Sequence, residues 1–96
     1  MTKFYKKLSI IIPVYNEKRT IKTILFKISK LTKIKKEVIV VDDASSDGTL
    51  EIIKKNKKIF KKLIIHKKNK GKGGAIKSAR KYVSGDIVVI QDADLE

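Results

Sequence analysis

Two hydrophobic periods alternate along the chain. Leu8-Ser9-Ile10-Ile11-Ile12 and Val38-Ile39-Val40-Val41 are short apolar runs ended by turn residues, the pattern of strands buried on both faces. Between them Ile21, Ile24, Leu25, Ile28 and Leu31 recur at three and four residues and predict one apolar helix face, with Lys18, Lys22, Lys27 and Lys30 opposite. Pro13 ends the first strand because it cannot donate to a central ladder, and Asn16 is placed to cap the helix. Residues 33–36 are a basic connection into a second strand over residues 37–41. Ser46 or Asp47 then caps a helix that turns Leu50 and Ile53 inward, with Ile52 beside them. After a basic stretch, residues 63–66 predict a third strand. Ala75, Ile76, Ala79 and Val83 predict a third helix, with Gly85 at its C′ position. Residues 86–90 are the fourth strand. The fold class this implies is α/β: a Rossmann-like, mostly parallel sheet flanked by helices, with short loops and right-handed crossovers.

Length and composition narrow the picture. Ninety-six residues make at most one domain, and a hydrophobic fraction of 42% is too high for a disordered chain. No stretch approaches the length of a membrane span. The basic residues 1–7 and the apolar residues 8–14 resemble a signal peptide only faintly, since the run is short, contains Pro13 and lacks a cleavage site. With no Cys, disulfides and thiolate metal sites are excluded, which suits a reducing cytoplasm.

The net charge of +14 raises nucleic acid or an anionic membrane as partners. All the basic residues except Arg19 and Arg80 are Lys, whereas base readers and bidentate phosphate clamps favour Arg. A chain this rich in both Lys and Ile reads as compositional bias, with solvated Lys faces and no specific nucleic-acid partner.

Chemistry concentrates where strands stop. Asp42 and Asp43 end the second strand, and ligands of open α/β sheets bind in the crevice beyond the strands' carboxyl ends. Adjacent acids repel, which capping alone does not require. A carboxylate there accepts the imide N–H of uracil, the N1–H and amino group of guanine, or a ribose hydroxyl. Asp92 and Asp94, spaced i, i+2 after the fourth strand, suit a hard divalent ion whose shell is completed by phosphate oxygens and water. Gly71-Lys72-Gly73-Gly74 precedes a helix, so free N–H groups and the positive dipole end suit an anion, with Lys72 adding a charge. The run is neither a Walker loop nor a dinucleotide fingerprint. His66, the sole His, has no metal-spaced partner and reads as structural, and Tyr82 reads as a core-edge aromatic.

Four motifs, in order, resemble the N-terminal nucleotide-sugar-binding half of a family 2 (GT-A fold) inverting glycosyltransferase. They are residues 9–17 around Pro13-Val14-Tyr15-Asn16-Glu17, residues 40–49 around Asp42-Asp43, Asn69-Lys70-Gly71-Lys72-Gly73-Gly74, and Gln91-Asp92-Ala93-Asp94-Leu95-Glu96. The last two look most like the polyprenyl-phosphate (dolichyl-phosphate) mannosyl- or glucosyltransferase branch. The resemblance implies that Pro13, Tyr15 and Glu17 line the nucleotide pocket. Val41 and Asp43 contact base or ribose, with Asp42 beside them. Asp92, Ala93 and Asp94 form the metal-diphosphate motif with Mg²⁺ or Mn²⁺; Glu96 is a further metal ligand, and Lys72 sits near the diphosphate.

The partners so implied are a UDP- or GDP-hexose and, in the complete enzyme, a lipid-phosphate or glycan acceptor at the cytoplasmic membrane face. Residues 1–96 are then expected to be an incomplete domain, truncated after the fourth strand, with no catalytic base and one edge and one face of the sheet open. Such a fragment is expected to be inactive or a weak nucleotide binder. Two other readings stand against this one. A non-catalytic Lys-rich module binding nucleic acid or anionic membrane would not need Asp92 and Asp94. A phosphorelay receiver would need acids at the ends of the first and third strands, where this chain has Pro13 and His66.

Overall fold

The computed structural model describes residues 6–94. The described elements, in chain order, are β1 (Leu8–Val14), α1 (Ile21–Ser29), β2 (Lys36–Asp42), α2 (Thr49–Lys55), β3 (Lys62–Ile65), α3 (Gly71–Arg80) and β4 (Ile87–Ile90). The strands are all parallel and form one sheet in the order β3-β2-β1-β4. The chain winds outward from β1 through β2 to β3, then crosses back to lay β4 on the other side of β1. Among the described residues no helix is long and apolar enough to cross a membrane.

The two-residue period of the strands sorts the core into two layers. Ile10, Ile12, Val14, Val38 and Val40 face α1 and α2, where Ile21, Ile24, Leu25, Ile28 and Ile53 meet them. Ile11, Ile39 and Val41 face α3 and pack on Ala75 and Ala79. Small residues on α3 let that helix approach closely. The same alternation turns Asp42 and Asp43 to opposite faces, so the two adjacent acids do not share a site.

Several local expectations are corrected. Pro13 lies inside β1, paired in register with Val41. Ile11 offers its carbonyl to Gln91 of the β4 side, and Val14 offers its carbonyl to Asp43 of the β2 side. By alternation, the missing Pro13 donor points past the end of β4, whose pairing stops at Ile11↔Ile90, so no ladder bond is lost. Asn16 caps nothing. It adopts φ +51° and laces two loops together, donating its N–H to Ser45 Oγ and accepting from the Ser46 amide. Helix α1 instead starts from the Glu17 carbonyl, which takes the amides of Thr20 and Ile21. Thr49, not Leu50, is the buried residue beside Ile53.

Gly85 is not a helix terminus, since α3 ends at Arg80. A Cβ on Gly85 would lie 2.6 Å from Ser9 Oγ and 2.7 Å from the Lys7 carbonyl, so the residue serves a close approach of two chain segments. Leu31 is past the end of α1 and exposed, and Tyr82 is exposed beyond α3 with Lys62 Nζ 4.5 Å from its ring centre. The apolar β4 residues Ile87, Val88, Val89 and Ile90 are all exposed at the sheet edge.

At the amino ends of the strands a buried carboxylate ties the segments together. Glu37 accepts from Ser9 Oγ at 2.5 Å, from the Ser84 amide at 2.6 Å and from the Ser84 hydroxyl at 2.8 Å, with Lys7 and Lys61 ammonium groups at 3.3 Å. Burial alone would raise its pKa. The hydrogen bonds from Ser9, Ser84 and Lys61 outweigh that and hold it far below the usual carboxylate range.

Candidate functional site

The strand order changes direction between β1 and β4, and a crevice of about 170 Å³ opens there at the carboxyl ends of the strands. Pro13, Val14, Tyr15 and Glu17 from the end of β1 form one wall. Asp43 lies at the back, Lys72 and Ala75 of α3 form a second wall, and Asp92, Ala93 and Asp94 close the side beyond β4. Thus eight of the ten residues expected at a substrate site converge. Val41 and Asp42 lie outside the lining. Val41 is fully buried against α3, and Asp42 is buried on the other face, where Oδ2 accepts the Ser45 amide at 3.3 Å. Its Oδ1 is the one buried side-chain polar atom among the described residues with no partner. Glu96 lies outside the described residues.

Asp43 is the most heavily bonded side chain of the crevice. Oδ1 accepts from His66 Nδ1 and from the Lys70 amide, both at 2.8 Å; Oδ2 accepts from the Gly71 amide at 2.8 Å. Burial would push this carboxyl up, but those donors and the nearby His66 charge hold it below the usual range. The glycine run is therefore not a loop ahead of a helix. It is the first turn of α3, begun by Gly71 at φ +80°, and the amides of the N-cap residue Lys70 and of Gly71 are already given to Asp43.

Asp92 and Lys72 face each other across the crevice mouth, with Nζ 2.5 Å from Oδ1 and both side chains about half exposed. Ala93 between the acids is buried in the core under α1, and its carbonyl accepts the Thr20 hydroxyl, which also lies 3.2 Å from Glu17 Oε1. This anchors the Asp92–Asp94 turn while leaving the two carboxylates at the surface. Asp47 accepts the Thr49 amide at 3.0 Å as well as the Thr49 hydroxyl, and takes the Lys18 amide at 3.3 Å. The Thr49 hydroxyl is the leading cause of its lowered pKa. The N-cap position itself falls to Gly48 at φ +98°, not to Ser46 or Asp47, and Asp47 holds the first amide of α2 from one residue ahead of Gly48.

The donor set fits a hard divalent ion. Asp92 and Asp94 offer carboxylate oxygens on an open rim, and Asp92 already attracts a cation in Lys72. Among the described residues no cluster of three or more His, Cys, Asp or Glu side chains forms a metal cage. Two carboxylates with the rest of the shell from phosphate and water is the arrangement typical of Mg²⁺.

A family profile described as glycosyl transferase family 2 matches residues 9–96. The chain belongs to glycosyl transferase family 2. A dolichol-phosphate mannosyltransferase of Pyrococcus furiosus is 38% identical over 92 residues, covering 94% of this chain and 26% of that protein. An undecaprenyl-phosphate 4-deoxy-4-formamido-L-arabinose transferase of Yersinia enterocolitica is 36% identical over 97 residues, covering 95% of this chain and 30% of its own length. Among solved structures, a mannosyltransferase of Pyrobaculum calidifontis in complex with GDP-Man and Mn²⁺ superposes with a TM-score of 0.79 at 31% identity, over 95% of this chain and 28% of that one. The parallel sheet and its flanking helices are those of the GT-A glycosyltransferase fold. This family 2 chain spans about a quarter to a third of the length of these relatives.

The site also contains residues to which the sequence motifs assigned no role in it. Val14 and Ala75 line it, Thr20 anchors Ala93, and His66 with Ser78 backs Asp43. His66, one residue past β3, and Ser78 on α3 are brought together by the packing of α3 across the sheet on β1 and β2. A linear spacing of residue types carries no signal of that.

Proposed function

We propose that this chain forms the nucleotide-sugar-binding part of an inverting hexosyltransferase acting on a UDP- or GDP-sugar. The single observation that carries the reading is the crevice at the β1/β4 switch point, with an ionised, buried Asp43 at its back and the half-exposed Asp92 and exposed Asp94 at its rim. A nucleoside offers N–H and hydroxyl donors at one end and a diphosphate at the other, and the two ends of the crevice are complementary to them. Asp43 takes the nucleoside donor, and Pro13 and Tyr15 flank the base. Asp92 and Asp94 hold Mg²⁺ or Mn²⁺, with Glu96 as a further ligand. The ion supplies charge neutralisation to the departing diphosphate. Lys72 leaves Asp92 for a phosphate oxygen and adds a second positive charge there.

In the complete enzyme the acceptor oxygen attacks the anomeric carbon in line, the bond from that carbon to the diphosphate oxygen breaks, and the nucleoside diphosphate leaves. The names of the polyprenyl-phosphate transferases among its relatives favour a lipid phosphate as acceptor, whose oxygen is already anionic and needs little base assistance. Residues 1–96 alone bind nucleotide weakly and transfer nothing, a reading supported by the share of the relatives' length they cover and by the open β4 edge.

One observation favours a second reading. At the opposite end of the sheet a cleft is lined by Lys7, Lys35, Lys36, Lys58 and Lys61 around Glu37, which pairs with Lys7 and Lys61, a net positive lining suited to an anionic surface. Incubating the full-length protein with labelled GDP-mannose or UDP-glucose, polyprenyl phosphate and Mn²⁺ separates the two. Label in the lipid fraction that disappears in Asp92→Asn supports the transferase. Salt-sensitive vesicle binding without transfer supports the basic module.

A further inference from the structure

His66 is only 7% exposed, and both of its ring nitrogens are used inside the protein. Nδ1 donates to Asp43 Oδ1 at 2.8 Å, because a carboxylate can only accept, and Nε2 lies 2.8 Å from Ser78 Oγ on α3. The serine hydroxyl satisfies Nε2 in either protonation state, donating to a neutral ring or accepting from a charged one. The imidazole therefore has nothing left with which to touch a ligand, and its effect falls on Asp43. Each carboxylate oxygen has two in-plane lone pairs. Those of Oδ1 are spent on His66 and the Lys70 amide, whereas Oδ2 gives one to the Gly71 amide and keeps one.

We propose that His66, braced by Ser78, is a positioning residue that fixes the Asp43 carboxylate so that Oδ2 alone offers an acceptor to a nucleoside N–H or ribose hydroxyl. This rests on the donor-site reading given above. The final torsion of an Asp side chain is broad and roughly two-fold. The Lys70 amide holds Oδ1 and the Gly71 amide holds Oδ2 at the start of α3, and the imidazole, one residue past β3, adds a second bond to Oδ1. Without the imidazole, Oδ1 keeps only the Lys70 amide and becomes a second acceptor beside Oδ2, so a bound nucleoside loses its single register.

The test compares UDP and GDP with Mn²⁺-pyrophosphate as calorimetric ligands of the full-length protein. His66→Leu is expected to weaken the nucleoside diphosphates about tenfold, the scale of one hydrogen bond to a charged group, and to leave pyrophosphate within about twofold. His66→Asn, whose amide N–H takes the place of Nδ1 toward Asp43, is expected to recover most of the nucleotide affinity. Ser78→Ala should lose about two- to threefold on nucleotides alone. The Ser78 and Asn variants keep the buried site nearly filled and carry the same comparison where His66→Leu does not fold. Equal affinities in wild type and variants would overturn the positioning role while leaving the donor site standing. A parallel loss of pyrophosphate and nucleotide would reduce His66 to a fold residue. A wild-type protein that binds pyrophosphate but neither nucleotide would overturn the donor-site reading itself.

Discussion

Asp43 and Gly71 are joined by a 2.8 Å hydrogen bond from the Gly71 amide to carboxylate Oδ2. The positive end of α3 thus meets an anion that belongs to the protein. A glycine-rich turn that in other folds cradles a phosphate here orients an acid, and the acid is what faces the crevice.

Removing that acid has two consequences. Asp43→Ala strips acceptors from the first amides of α3 and from His66, and a buried donor left unpaired costs about 1–3 kcal/mol. Urea unfolding should show a loss of about 2–4 kcal/mol. Nucleoside diphosphate binding should fall at least tenfold at a temperature where the variant is still folded.

Lys72 should behave in the opposite way. Its pair with Asp92 is about half exposed on both sides, so Lys72→Met should change stability by less than about 0.5 kcal/mol. Calorimetry should nonetheless show a five- to tenfold weaker nucleoside diphosphate, an order-of-magnitude expectation for one lost point charge on a phosphate.

Acid should unfold the protein through a definable set of groups. Glu37, Asp43 and Asp47 titrate below their ordinary values in the folded state. The folded chain then binds fewer protons than the unfolded one, and stability rises with pH where they differ. Their contribution is complete above the unfolded values of about 4 and is lost as pH falls through the folded ones. Glu37→Gln should cost about 1–3 kcal/mol at pH 7 and flatten the decline below about pH 4, read from urea midpoints across pH.

Gly85→Ala tests the junction at the amino ends of the strands. Its methyl group would press on Ser9 Oγ and the Lys7 carbonyl, the first of which bonds both Glu37 and the Gly85 amide. A loss of about 2 kcal/mol or more in thermal or urea unfolding is expected, with nucleotide affinity unchanged in the folded fraction.

The strands and the helix faces were legible because burial imposes periods of two and of three to four. The runs at Ile10, Val38 and Ile87 and the helix stripe through Ile21 all emerge as elements near their expected places. Boundaries failed where a side chain's partner is distant in sequence. Pro13 stays in β1 because β4 ends beside it, and Gly85 is demanded by Ser9 rather than by α3. The acids at the strand ends were legible because an α/β sheet places its ligands there. The separation of Asp42 from Asp43 follows from alternation once β2 is known to include Asp42. His66 and Ser78 were not legible, since only the packing of α3 across the sheet brings them to Asp43.

In the proposed function the crevice binds a nucleoside diphosphate through Asp43 and through a divalent ion on Asp92 and Asp94. Titrating UDP and GDP into the protein with and without Mn²⁺, in wild type and in Asp92→Asn and Asp94→Asn, tests it most directly. Saturable binding of at least one nucleotide is expected, strengthening at least tenfold with Mn²⁺ and losing that gain in both variants. Binding indifferent to Mn²⁺ and to both substitutions, and abolished by moderate salt, would contradict it and return the function to the lysine surface.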